Sequence, residues 1–212
     1  MLIRLYPCSP LTLLIIRCTE SGIRKAAEKV KKGAVIVYPT DTVYGIGCNP
    51  YNAEAVKRVI EIKMREQKPL PVLCSSLENA KKLVQFNRKS LELARKFWPG
   101  PLTIVAKIID TKLPNILTFG SKMLGVRIPD HEITLKLIEL SGGFLVGTSA
   151  NKAGLKSPIS AEEVKSVLSP EYDILLDGGE TALKAESTVI EASNDKIKLL
   201  REKAIPKEVL GI

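Results

Sequence analysis

Short runs of strand formers alternate along this chain with longer stretches whose apolar residues recur every three or four positions. That alternation confines it to an α/β fold built on a mixed sheet. Gly33 to Pro39 (GAVIVYP) reads as a buried strand. Asn52 to Met64 follows as a helix, with Asn52 as N-cap and Val56, Val59, Ile60 and Met64 as its apolar stripe. Leu70 to Cys74 is a short strand, and Pro71 inside it predicts an edge position, because proline offers no ladder donor. Ser75-x-x-Glu78 and Ser160-x-x-Glu163 have the capping-box pattern and each should open a helix. Leu102 to Ile109 and Leu124 to Ile128 are further strands, and Asp130 is placed to cap the helix Ile133 to Leu140. Gly142-Gly143 stops that helix, and Phe144 to Thr148 leaves it as a strand. Ile174 to Asp177, Thr188 to Glu191 and Ile197 to Leu200 close the series. The last two would pair through Asn194-Asp195, and that hairpin argues against a purely doubly wound sheet.

The 212 residues can bury one sizeable core, and with no internal repeat or linker they read as one domain, 1–212. The apolar run Leu11 to Ile16, ended by Arg17, is far too short to span a bilayer and reads as a first buried strand, so no membrane association is expected. Cys8, Cys18, Cys48 and Cys74 form no Cys-x-x-Cys pair, which disfavours a zinc site or disulfide framework and fits reduced thiols in a cytoplasmic protein. An excess of 32 Lys and Arg over 23 Asp and Glu leaves a net charge of +9, which favours anionic partners such as nucleotides, pyrophosphate or RNA.

Two polar clusters carry the chemistry. In each of Lys63-Met64-Arg65 and Ser149-Ala150-Asn151 the functional side chains stand two apart and, in extended chain, face the same way. Lys63 and Arg65 lie where the predicted helix ends, and Pro69 biases Lys68 away from helical geometry, so the chain straightens there. Two cations with two neutral hydrogen-bonding groups suit a phosphate-bearing ligand. Pro39-Thr40-Asp41-Thr42-Val43-Tyr44-Gly45 lies at a strand end, where α/β sheets bind small ligands. It is either an amino-acid or hydrated-metal contact or a polar turn in which Asp41 satisfies its own loop. Arg127 lies in an apolar strand, where a guanidinium needs an anion. His131, the only histidine, reads as a helix-start residue, because no nucleophile neighbours it. Trp98, in a proline-bounded corner, reads as core. No glycine-rich phosphate loop occurs, so a nucleotide must be held by side chains drawn from across the chain.

Taken in order, PTDTVYGIG, Lys-x-Arg with its following Pro-Leu, WPGPLT, VRIPDH, TSAN with Ser157-Pro158, LLDGG, ESTVIE and LLR resemble the YrdC/TsaC family of threonylcarbamoyl-AMP synthases, from about Gly33 to Arg201. The resemblance implies a YrdC-like twisted mixed sheet flanked by helices around a basic concave cleft. It implies a nucleotidyltransferase that joins L-threonine, bicarbonate or carbon dioxide and ATP, with Mg2+, into threonylcarbamoyl-AMP and pyrophosphate for tRNA modification. A downstream threonylcarbamoyl transferase complex would use the product, and tRNA or double-stranded RNA could bind directly. Carried over by motif, Thr42, Arg127 and Ser187 would hold threonine. Arg65, Lys68, Ser149, Ser157 and Arg201 would hold ATP, with Lys63, Arg65, Ser149 and Asn151 as the catalytic tetrad; the metal ligands are left open. The chain departs from the family pattern in the Arg65 to Pro69 spacing, one residue short, and in Leu73 and Cys74, which stand where a histidine is common. The alternative is a diverged paralogue acting as an RNA-binding module, although sparse aromatics disfavour base stacking.

Overall fold

The computed structural model describes residues 13–64, 68–168, 170–193 and 196–212. Along the chain run β1 (Leu14–Arg17), α1 (Glu20–Lys31), β2 (Ile36–Tyr38), β3 (Gly45–Gly47), α2 (Ala53–Ile62), β4 (Val72–Cys74), α3 (Leu77–Leu83), β5 (Val84–Gln85), α4 (Arg88–Phe97) and β6 (Leu102–Ile108). Then follow α5 (Asn115–Thr118), β7 (Met123–Arg127), α6 (Glu132–Leu140), β8 (Phe144–Val146), β9 (Thr148–Ser149), α7 (Ala161–Val167), β10 (Ile174–Asp177), β11 (Thr188–Ser193), β12 (Lys196–Arg201) and α8 (Lys207–Leu210).

The strands form two mixed sheets rather than one. The first has the order β1-β10-β2-β3-β9, and the second β12-β11-β6-β7-β4-β8, with β5 pairing the end of β6. In the first, β1, β10 and β2 are parallel and β3 and β9 antiparallel; in the second, β11 lies parallel to β6 and β4 parallel to β7. One apolar cluster joins them, packing Val37, Tyr44 and Ile46 of the first side with Val72, Ala106 and Val126 of the second. The expected hairpin is present, with β11 and β12 antiparallel; its turn residues Asn194 and Asp195 lie outside the described residues.

Several expectations need correction. The strand read through Phe144 to Thr148 is divided: β8 belongs to the second sheet and β9 to the first. Gly147 makes the crossing possible, since a Cβ there would stand 2.3 Å from the Leu73 side chain. Pro71 does not mark an edge. It precedes β4, which pairs on both sides, and it contributes through its carbonyl, which accepts from Gly147 N. The stripe of α2 is Ala55, Val56, Val59 and Ile62; Met64 lies beyond the helix in the left-handed region at φ 48 and is 71% exposed. In β1 only Ile16 is buried, because the strand lies at a sheet edge; Leu11 and Thr12, the start of the expected run, are outside the described residues.

Capping also shifts by one residue in two places. Ser76, not Ser75, caps α3 by accepting from Asn79 N. His131, not Asp130, caps α6, its Nδ1 accepting from Thr134 N at 3.3 Å. An acceptor nitrogen must be unprotonated, and burial lowers the His131 pKa, against opposing pulls from Asp41 and Asp130. The Asn52 and Ser160 caps form as the sequence predicts. Trp98 is packed against the core with its indole N–H donating to Leu102 O. Cys18, Cys48 and Cys74 are free thiols, and burial pushes Cys48 up to about 12, so it stays protonated and inert.

β3 is the tightest point of the first sheet. Ile46 enters the core, whereas a Cβ on Gly47 would stand 1.7 Å from the Val146 carbonyl oxygen. Gly47→Ala must therefore spread β3 from the end of β8. Urea denaturation should show a loss of about 1–3 kcal/mol, the range for forced overpacking.

Candidate functional site

The period-two alternation of the second sheet assigns one face to the core and the other to a cleft. Leu102, Ile104, Ala106, Leu124, Val126, Ile190 and Ala192 point inward and are buried. Their alternates Thr103, Val105, Met123, Gly125, Arg127, Val189 and Glu191 line a cavity of about 500 Å³. The register sets Glu191, Val105 and Gly125 in one row across three strands, and Val189 opposite Thr103 in the next. Gly125 keeps the floor low between Thr103 and Pro71. The facing wall comes from the first sheet: Thr40, Thr42 and Tyr44 of the β2–β3 loop, and Thr148 and Ser149 of β9.

Arg127 is the best-defined group. It is 5% exposed, and its Nη2 is ion-paired with Asp41 Oδ1, so the anion that its apolar strand demanded is Asp41. Nε donates to Gly100 O at 2.9 Å and Nη1 to Thr42 Oγ1 at 3.0 Å. Burial lowers the Arg127 pKa, and the neighbouring Asp41 opposes that shift. Asp41 Oδ2 is buried with no hydrogen-bond partner among the described residues.

The hydroxyl protons of the loop follow from these contacts. Thr40 donates to Val43 O at 2.7 Å, so its bond to Thr42 Oγ1, at 2.9 Å, uses the Thr42 proton. Thr42 therefore presents to the cleft a lone pair, not a donor. On the opposite side Ser187 Oγ lies 2.9 Å from Thr103 Oγ1, and Arg201 donates to Ser187 O through Nε and Nη2. Arg201 Nη1 and Ser157 Oγ both meet Glu186, at 2.8 and 2.7 Å.

Thr42, Arg127, Ser187, Ser149 and Arg201 thus line one cleft, while Ser157 reaches it through Glu186. Lys63 is buried at the end of α2, where its Nζ donates to the carbonyls of Ser149 and Asn151. It holds the backbone of β9 and its exit. Asn151 donates to Leu155 O, with its Oδ1 buried and unpartnered among the described residues. Lys68 is exposed and outside the cleft lining, and Arg65 lies outside the described residues, with Glu66 and Gln67. The charged lining of the described cleft comprises Arg127, Arg201, Glu186 and Glu191. Thr103, Met123, Gly125 and Glu191 were not foreseen as lining; alternation along β6, β7 and β11 would have found them once the inward face was known.

A two-sheet α/β body with a polar, arginine-bearing cavity of about 500 Å³ places the chain among α/β proteins that carry a cleft of small-molecule size. Among them the chain belongs to the Sua5/YciO/YrdC family: residues 28–203 match the family model Sua5_yciO_yrdC, described as "Telomere recombination". It is 40% identical over 194 residues to the threonylcarbamoyl-AMP synthase of Pyrococcus abyssi, covering 91% of this chain and 57% of that one. A Methanocaldococcus jannaschii protein is 36% identical over 203 residues, covering 93% of this chain and 95% of its own length. The crystal structure of P. abyssi Sua5 complexed with L-threonine superposes with a TM-score of 0.86 at 39% identity, over 92% of this chain and 58% of that one. The chain spans little more than half the length of the P. abyssi relative.

Removing the Asp41 carboxylate would leave a buried, uncompensated guanidinium. Asp41→Ala should cost about 3–5 kcal/mol in chemical denaturation, the range for breaking a buried pair. The double variant Asp41→Ala/Arg127→Met should recover part of that loss, and strict additivity of the two single effects would show that the pair is not coupled.

Proposed function

We propose that this chain is an L-threonylcarbamoyladenylate synthase, forming threonylcarbamoyl-AMP and pyrophosphate from L-threonine, bicarbonate or carbon dioxide, and ATP. The carrying observation is Arg127, buried yet lining the cleft and fixed by Asp41 beside Thr42. A rigid arginine of this kind suits an amino-acid carboxylate, and its second hydrogens on Nη1 and Nη2 are available to it. The Thr42 lone pair suits a substrate ammonium or hydroxyl, and Ser187 closes the pocket from β11. The resemblance to a Sua5 complexed with L-threonine supports this reading.

ATP would lie along the same cleft, with Ser149, Ser157 and Arg201 on its phosphates and Arg65 and Lys68 adding positive charge. Lys63 and Asn151 would act through the β9 backbone that presents Ser149. Attack of a threonine carbamate oxygen on the α-phosphorus joins two anions, so positioning and cationic screening would carry the catalysis, with no covalent nucleophile. Among the described residues no cluster of three His, Cys, Asp or Glu side chains could hold a metal. The cleft carboxylates Glu186 and Glu191 are the donors that would meet Mg2+ arriving on the nucleotide, since Mg2+ is held mainly by phosphates and water with one or two carboxylates.

We read residues 1–212 as one domain, supported by the core cluster shared between the sheets. The setting would be the cytoplasm, where a transferase complex would pass the threonylcarbamoyl group to tRNA, and direct tRNA or double-stranded RNA contact would draw on the net charge of +9. Among the described residues no helix is long and apolar enough to cross a membrane.

The test is pyrophosphate release from ATP, Mg2+ and bicarbonate with and without L-threonine, with mass detection of the adenylate. Threonine-dependent release is expected. Ser187→Ala should raise the KM for threonine by about tenfold, the loss of one hydrogen bond to a charged ligand, with a smaller change for ATP. A folded protein that forms no adenylate would overturn the assignment.

A further inference from the structure

We propose that Glu186 is a metal-released latch on the nucleotide site, an internal anion that holds Ser157 and Arg201 until a divalent cation draws its carboxylate away. This inference rests on the nucleotide reading given above. Glu186 directly precedes Ser187 and lines the cleft. Its Oε1 accepts from Ser157 Oγ at 2.7 Å and its Oε2 from Arg201 Nη1 at 2.8 Å. The two groups assigned to phosphate oxygens are thus already joined through one carboxylate.

The proton count makes the conflict definite. A serine hydroxyl has a single proton, and an ionised carboxylate can only accept. While Ser157 donates to Glu186 it cannot donate to a phosphate. Arg201 is engaged in part: Nε and Nη2 donate to Ser187 O and one Nη1 hydrogen points to Glu186, so an incoming anion meets the second Nη1 hydrogen and must share the guanidinium charge with the carboxylate. A triphosphate entering this clasp also meets the Glu186 charge directly, in a partly buried setting where screening is weakened.

Side-chain rotation can resolve the conflict without moving the backbone. Glu186 O accepts from Ala204 N at 3.1 Å, which fixes the main chain, while its side chain is 27% exposed and has room to turn. A released carboxylate next to phosphate oxygens is the kind of ligand Mg2+ takes alongside a nucleotide. The cation would thereby do two things: neutralise phosphate charge and free Ser157 and Arg201. The same network reaches the threonine pocket, because Arg201 Nη2 also lies 3.3 Å from Ser187 Oγ.

Calorimetric titration with α,β-methylene-ATP, in EDTA or in MgCl2 and without bicarbonate, separates the latch from its alternatives. L-threonine is titrated into the same samples as a check on the cleft. The latch predicts that Glu186→Gln and Glu186→Ala bind the analogue about tenfold more tightly than wild type in EDTA, the worth of one charge-assisted bond regained. It also predicts that the gain from Mg2+ shrinks in both variants. An unchanged Mg2+ gain, or weaker binding in EDTA, would overturn the latch and make Glu186 a support for Arg201. Loss of threonine binding in both variants would make it a structural brace, which also overturns the proposal. If wild type binds threonine but no analogue in either buffer, the nucleotide reading itself falls.

Discussion

An arginine buried on a sheet needs a counter-charge, because removing a cation from water costs more than any single neutral hydrogen bond returns. Arg127 meets that need by reaching from β7 to Asp41 in the β2–β3 loop, and so ties the second sheet to the first. The loop cannot move without exposing or orphaning this pair. Thr42 is fixed by the same guanidinium, and Thr40 is fixed by Thr42. The polar wall of the cleft is therefore set by a contact whose energetic role is to make a buried charge tolerable.

Backbone crossings complete the frame. The chain passes from β8 in one sheet to β9 in the other within the single residue Gly147, at a point where Leu73 leaves no room for a side chain. Lys63 then clasps the carbonyls of Ser149 and Asn151, fixing the segment that has just changed sheets. A buried lysine on two carbonyl oxygens thus braces the segment that presents Ser149 to the cleft without itself lining it.

Much of this was legible in the sequence. The strand and helix runs, the Asn52 and Ser160 caps, and the β11–β12 hairpin follow from local patterns that depend on few neighbours. Arg127 announced its need for an anion through its apolar surroundings alone. What sequence could not show was which anion, because Asp41 is 86 residues away and its own loop offered a satisfactory local explanation. The division of Phe144 to Thr148 between two sheets was hidden for a similar reason. A continuous β-forming run records that each residue is extended, not which partner strand it meets. Pro71 misled because proline's missing donor matters only inside a ladder, and this one stands just outside it.

If the proposed synthase reading holds, the pattern of paired groups says how this cleft would favour reaction over mere binding. Thr42 has its proton directed inward, Ser157 donates to Glu186, and Arg201 is shared between Glu186 and Ser187. Donors such as Ser157 and Arg201, already oriented by protein partners, would lose little entropy when ligand replaces those partners, so more of the interaction is available as charge develops in the transition state. The cost is that internal anions compete with substrate anions. Asp41 is buried against Arg127 and is not among the residues that line the cleft, so it stands outside this competition. Glu186 does not avoid it, because it lines the cleft itself. On the proposed reading the two carboxylates would therefore play opposite parts: Asp41 would hold the arginine of the amino-acid pocket, and Glu186 would give way to the nucleotide.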